Sequence, residues 1–214
     1  MSHPLPLLAI SAIVVLIVPP PAAHAQAYDL IIQDAWVLDG TGAPGVRTSI
    51  AVQGSVIAAV GALAGATADW VINAEAMVLS PGFIDMHSHA DGSLFSGDSE
   101  TRAAANLVAQ GITTIVVGPD GRNPTWPISA EIAGYDAGGT GLNVVPMVGH
   151  GTVRTQVMGE DNERHATEDE IRQMAVLVRQ GMEEGAWGLG AGPEYRPGRF
   201  SSTEEIIALA HVVA

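Results

Sequence analysis

The chain has 214 residues, 47% of them hydrophobic and only 15% charged, a balance that suits a packed globular body and excludes a disordered one. A formal net charge of −14 repels phosphate backbones and argues against nucleic acid as a partner. The absence of cysteine excludes disulfides, thiolate metal sites, a cysteine nucleophile and a lipidated N-terminal cysteine.

Residues 7–18 form an unbroken run of apolar and small side chains, LLAISAIVVLIV. The run is shorter than the ~20 residues that span a bilayer. Pro19-Pro20-Pro21 ends it, and Ala23-His24-Ala25 offers a small-x-small cleavage site before Gln26. The n-region departs from the usual signal in lacking Lys and Arg, which leaves an uncleaved anchor or a misassigned start as alternatives. The expectation is a cleaved signal peptide over residues 1–25 and a periplasmic or secreted mature protein.

Residues 26–80 read as a small β-rich unit. Strand candidates lie at 28–33, 35–38, 48–53, 56–60, 71–74 and 77–79, punctuated by Asp39-Gly40, Gly42, Pro44-Gly45, Gly54 and Gly61. From Pro81 onward the rhythm changes to strand, loop, helix. Residues 83–86 form a first strand, and 99–109 a helix with Ser99 as N-cap and Gly111 as its stop. The β-prone Ile-Thr-Thr-Ile-Val-Val at 112–117 is a second strand, left through Gly118-Pro119-Asp120-Gly121. A weak helical stretch follows near 128–133. Residues 143–148 are a third strand, with His150 in its exit loop.

Thr167-Glu168-Asp169-Glu170 is a capping box, and the helix behind it carries Ile171, Met174, Ala175, Val178 and Met182 on one face. Residues 186–189 form a fourth strand. Ser202-Thr203-Glu204-Glu205 is a second capping box, opening a helix with Ile206, Leu209, Ala210 and Val213 inward. Four such units predict parallel βα repeats. A closed (β/α)₈ barrel takes about 250 residues, so residues 81–214 hold about half of one. The expected class is therefore α/β, the N-terminal portion of a longer protein. The alternative is a complete small α/β domain with an exposed apolar edge strand.

Residues two apart on a strand share a face, so His87 and His89 point the same way from the end of the first strand. Two imidazoles so placed can grip one divalent metal, or they are ordinary surface histidines. Asp120 is either a third metal ligand or a turn residue in Pro-Asp-Gly. His150 is a site residue near substrate or metal, or a locally bonded loop histidine. Arg154 either pairs with a substrate carboxylate or is a solvated loop charge.

The wording Pro81-Gly82-Phe83-Ile84-Asp85-Met86-His87-Ser88-His89 resembles the first barrel strand of the metal-dependent amidohydrolases. The stretches Gln110-Gly111-Ile112-Thr113-Thr114, Val148-Gly149-His150-Gly151-Thr152-Val153-Arg154, Gly185-Ala186-Trp187-Gly188-Leu189-Gly190 and Tyr195-Arg196-Pro197-Gly198-Arg199-Phe200 are similar to one branch of them, the D-aminoacylases. The resemblance implies the first half of a (β/α)₈ amidohydrolase barrel (residues 81–214), preceded by part of a flanking β-sandwich (residues 26–80). It implies a metal-dependent hydrolase of N-acyl-D-amino acids, a small-molecule substrate, and Zn2+ as one or two divalent ions held by His87, His89 and Asp120. His150, Arg154 and Tyr195 would face the substrate, Tyr195 near its carboxylate. The general base, an aspartate after the last barrel strand, and the remaining histidine ligands would follow beyond residue 214. Several members of the branch carry Asn-Cys-Gly after the second strand, with the cysteine a ligand. Here Pro119-Asp120-Gly121 stands in its place. Another amidohydrolase activity, imidase-like or dipeptidase-like, and a non-catalytic fragment are the competing readings.

Overall fold

A computed structural model describes residues 27–214, so the expected signal peptide and its processing site at Ala25–Gln26 lie outside the described residues. The chain divides after Pro81 into two compact units.

The first unit is a five-stranded sheet. Strands β1 (Ala27–Val37), β2 (Val46–Gln53), β3 (Val56–Gly61), β4 (Thr67–Asn73) and β5 (Val78–Leu79) are arranged β3-β2-β1-β4, with β5 also pairing β1. β2 and β3 form a hairpin in which Gln53 faces Val56, with Gly54 taking the positive φ the tight turn requires. β1 is one strand where the sequence predicts two. Asp34 adopts φ 58 and the β1–β2 register shifts between Ile32 and Ala35, so a bulge absorbs the irregularity without ending the strand. Tyr28, Ile31 and Ala51 form a small core with Leu63, Ala66 and Ala68.

The second unit is built on parallel strands. β6 (Phe83–Ser88), β7 (Ile112–Val117) and β8 (Asn143–Pro146) pair in chain order. β9 (Val148–Gly149) follows β8 after one residue and pairs in parallel with β10 (Leu189–Gly190). The predicted third strand is therefore a bent path. The mixed α/β class expected from the sequence is what the described residues form.

Helices fill the connections: α1 (Asp91–Leu94), α2 (Ser99–Arg102), α3 (Ala105–Val108), α4 (Ile128–Gly138), α5 (His150–Met158), α6 (Glu168–Glu183) and α7 (Thr203–Val213). The predicted helix 99–109 is broken, because Ala104 sits in the left-handed region at φ 49 and separates α2 from α3. Its cap is Asp98, whose carboxylate accepts from the backbone N–H groups of Glu100 and Thr101, and not Ser99. Thr167 and Glu170 form the expected reciprocal box at the start of α6, which buries Met174, Val178 and Gly181. Gly181 is where α6 lies close on the sheet: a Cβ there would come 2.5 Å from Val148. The main core joins Ile128, Val148, Val153, Met174, Val178 and Leu209, and a second joins Leu94, Ile115, Val117, Tyr135 and Leu142. No helix among the described residues is long and apolar enough to cross a membrane.

Candidate metal centre

Ser88 is buried at the end of β6, while His87 before it and His89 just after it are both exposed, so the two imidazoles emerge together. Their rings lie 5.2 Å apart, centroid to centroid, at an interplanar angle of 66°. Asp120 comes from the next strand's exit. Gly118 takes φ +80 directly after β7, and the Gly121 N–H donates to the Gly118 carbonyl at 3.1 Å, closing a turn with Asp120 inside it. One carboxylate oxygen lies 3.7 Å from His87 Nε2 and the other 3.5 Å from His89 Nε2. Asp120 is thus a turn residue and also faces both imidazoles; the two readings of Pro-Asp-Gly are not exclusive.

These separations exceed a direct N–H···O hydrogen bond of about 2.7–3.2 Å. The 3.5 Å span falls within the roughly 3.3–3.6 Å expected between two ligands of one tetrahedral zinc with bonds of about 2.0–2.2 Å, and the 3.7 Å span lies just beyond it. One donor atom from each of the three residues falls within 4.8 Å of the others. Two imidazoles and a carboxylate are an ordinary donor set for zinc, so the residues fit a divalent ion.

His89 and Asp120 also line a cleft of about 520 Å³ with Asp91, Arg122, Glu194, Tyr195 and Arg196. Tyr195, predicted near substrate, stands in this wall and is 52% exposed. It is held by a compact turn in which its N–H donates to Gly192 and its carbonyl accepts from Arg199. The exits of the strands meet through glycines: a Cβ on Gly190 would lie 2.0 Å from the Gly118 carbonyl, and one on Gly192 2.6 Å from that of Asp120.

His150 and Arg154 require a correction. Both were expected in an exit loop facing substrate. Instead His150 opens α5, Arg154 follows one turn later, and both are fully buried. Their partner is Glu205, also fully buried. Arg154 Nη1 donates to both of its carboxylate oxygens at 2.6 and 2.5 Å, and His150 Nε2 lies 2.7 Å from Oε1. Arg154 also donates to the carbonyls of Asn162 and Arg164. With its donors committed to the protein, Arg154 has none to offer a ligand. Burial pushes the Glu205 carboxyl up, but the hydrogen bonds from His150 and Arg154 outweigh it and hold it below the usual carboxylate range.

By sequence, Glu205 reads as half of a capping box. Ser202 does accept from the Glu205 N–H, but the Glu205 side chain turns inward. Asn123 and Glu131 are a further pair that the chain's motifs do not mark. Glu131 is fully buried, accepting from Asn123 Nδ2 at 2.9 Å and from the Tyr135 hydroxyl at 2.8 Å. Burial raises its carboxyl to about 6, against the lowering effect of those two bonds and with a further push from Asp91. The one signal in the sequence was the four-residue spacing of Glu131 and Tyr135 on a helix.

The amidohydrolase family's sequence profile matches residues 70–205. D-aminoacylase of Alcaligenes xylosoxydans xylosoxydans is 34% identical in an alignment that covers 86% of this chain and 42% of that protein. A solved structure of N-acyl-D-glutamate deacylase from Bordetella bronchiseptica, complexed with zinc and a phosphonate mimic of the tetrahedral intermediate, aligns with TM-score 0.79 at 30% identity. The alignment covers 87% of this chain and 43% of that one. A D-aminoacylase described as having a binuclear metal centre aligns with TM-score 0.78 at 35% identity, over 87% of this chain and 43% of that one. The chain therefore belongs to the amidohydrolase family, and it spans well under half the length of these relatives.

Proposed function

We propose that this chain forms the N-terminal portion of a metal-dependent deacylase that hydrolyses the amide bond of N-acyl-D-amino acids. The observation that carries the reading is the meeting of His87, His89 and Asp120 at the C-terminal ends of adjacent parallel strands. The deacylase relatives named above supply the substrate class. The strand order supports residues 81–214 as the first four βα units of a barrel, and residues 26–80 as part of a flanking β-sandwich. Exposed apolar side chains on β6 (Phe83, Ile84 and Met86) fit a strand that a further part of a longer chain covers.

In this reading His87, His89 and Asp120 hold a divalent ion, zinc by its donor set, and a second ion is supported by the binuclear relative. Such an ion supplies Lewis acidity that polarises a carbonyl and acidifies water. The Asp120 carboxylate offsets the ion's charge, and the turn that carries it fixes its orientation. Tyr195 presents its ring and hydroxyl to a substrate lying in the cleft beside His89. The general base and the remaining ligands belong to the part of the protein beyond this chain. Residues 1–25 serve as a cleaved signal for export. N-terminal sequencing of the exported protein should begin at Gln26, and an intact Met1 in a cytosolic fraction would overturn that.

The test of the site is metal content and turnover in the full natural protein. His87→Ala, His89→Ala and Asp120→Asn should each lower bound metal and remove most hydrolysis of N-acetyl-D-amino acids. Asp120→Asn keeps the turn and removes the charge. Wild-type metal stoichiometry in that variant would reduce Asp120 to a turn residue. Preference for L-enantiomers or cyclic imides would overturn the substrate class and leave the site intact.

A further inference from the structure

We infer that Asn123 is a positioning residue for the metal centre, its side-chain amide fixing the Gly118–Gly121 turn, and with it Asp120, against the third strand, while buried Glu131 holds that amide in place. The inference rests on the reading of His87, His89 and Asp120 as metal ligands.

β7 pairs with β8 as far as Val117 opposite Pro146, and the Met147 N–H still reaches the Val117 carbonyl at 3.1 Å. There the ladder ends, because Gly118 turns the backbone away. The next two groups of the third strand are the Met147 carbonyl and the Gly149 N–H. Asn123 takes both: its Nδ2 donates to Met147 at 2.8 Å and its Oδ1 accepts from Gly149 at 2.7 Å. In a parallel ladder one residue bonds the carbonyl before and the N–H after its partner. The Asn123 amide therefore acts as one more peptide unit opposite Val148, one that a turn residue could not otherwise provide. Its own backbone N–H donates to Thr152 Oγ1 at 2.9 Å, and the Thr152 N–H donates to the Gly121 carbonyl at 3.2 Å. The turn bearing Asp120 is thus tied on its C-terminal side to the start of α5.

The remaining Nδ2 proton goes to Glu131 at 2.9 Å. Glu131 is itself locked by Tyr135, so the amide cannot flip without facing its oxygen against a carboxylate. There is little room beside the turn: a Cβ on Gly118 would meet the Arg122 and Met147 carbonyl oxygens at 3.3 Å and Asn123 Nδ2 at 3.7 Å. A shift of Asp120 would open the 3.5 and 3.7 Å spans to His89 and His87. Residues that orient ligands in this way typically change metal affinity by about 10- to 100-fold.

The experiment is zinc affinity of the full natural protein, measured by competition with a chromophoric chelator well below the melting temperature. Wild type, Asn123→Ala, Asp120→Ala and the double variant form a cycle. Asn123→Ala should weaken zinc binding about tenfold or more, and should have no further effect once Asp120 is gone. If Asn123→Ala does not fold, Asn123→Asp, which keeps the shape and loses both donors, serves in the same cycle. An Asn123 variant that is less stable but binds zinc normally, or one whose effect adds in full to Asp120→Ala, overturns the inference alone. If Asp120→Ala itself binds zinc normally, the metal-centre reading falls and the inference with it.

Discussion

Arg154 meets Glu205 through charge-assisted hydrogen bonds, and neither side chain touches solvent. Removing one member of such a pair leaves the other charge buried and costs about 3–5 kcal/mol. Arg154→Met should therefore lower the urea midpoint sharply, with zinc content per folded molecule unchanged. The pair also sets an acid limit. The Glu205 carboxyl is depressed in the folded chain, so the unfolded chain binds the extra proton more readily. Its contribution is present above the ordinary carboxylate pKa of 4.5 and is lost as pH falls through the depressed value. Glu205→Gln should flatten the loss of stability on that acid side. An unchanged slope would show that the cluster does not govern it.

At the scale of elements, α4 and the strand exits are joined through Glu131, and here the pH sign reverses. Its folded carboxyl is raised to about 6 from 4.5, chiefly by burial, with Asp91 and Tyr135 as the titratable groups nearby. The native state holds the proton more tightly, so this contribution is complete below pH 4.5 and is lost as pH rises through about 6. A shift of this size corresponds to roughly 2 kcal/mol. Glu131→Gln should remove the downward slope of stability in that window, read by denaturant titration at a series of pH values. The glycine contacts between exits give a second prediction. Gly190→Ala would drive a methyl against the Gly118 carbonyl at 2.0 Å. Backbone on both sides must move, and overpacking costs about 1–3 kcal/mol or more. A wild-type melting temperature in Gly190→Ala would show that the exits are looser than this.

For the whole molecule, the uncovered apolar surface is the dominant fact. Ile32, Val37, Ile50, Val52, Ile57 and Val60 line a groove of about 340 Å³ on the first unit's sheet. In the second unit Met86 is 68% exposed and Phe83 63%. Surfaces of this kind in soluble proteins are interaction sites or aggregation hazards. Expressed alone, residues 27–214 should bind a hydrophobic dye and self-associate in sedimentation, and should lack deacylase turnover. A chain as long as the relatives should do neither of the first two. A dye-silent monomer from residues 27–214 that melts cooperatively would overturn the reading that these faces belong to an interior.

Features that depend on local periodicity and local hydrogen bonds are legible in the unfolded chain. His87 and His89 share a face because strand side chains alternate. Thr167 and Glu170 close a box because both partners lie within one turn. The β7 segment is legible because its β-branched run has no helical period. Tertiary structure decided the rest. Whether Asp120 only turns the chain or also faces the histidines depends on a neighbouring strand more than thirty positions away in sequence. The burial of His150 and Arg154 was hidden because their partner, Glu205, lies 55 and 51 positions further on. Asn123 resembles any polar residue before a proline until the strand it bonds is placed beside it. Even the break at Ala104 carries no local mark, since alanine favours helix, yet the residue sits buried in the core at positive φ. Local propensity fixes what a segment prefers, whereas the partners of a buried polar group are fixed only when distant segments meet.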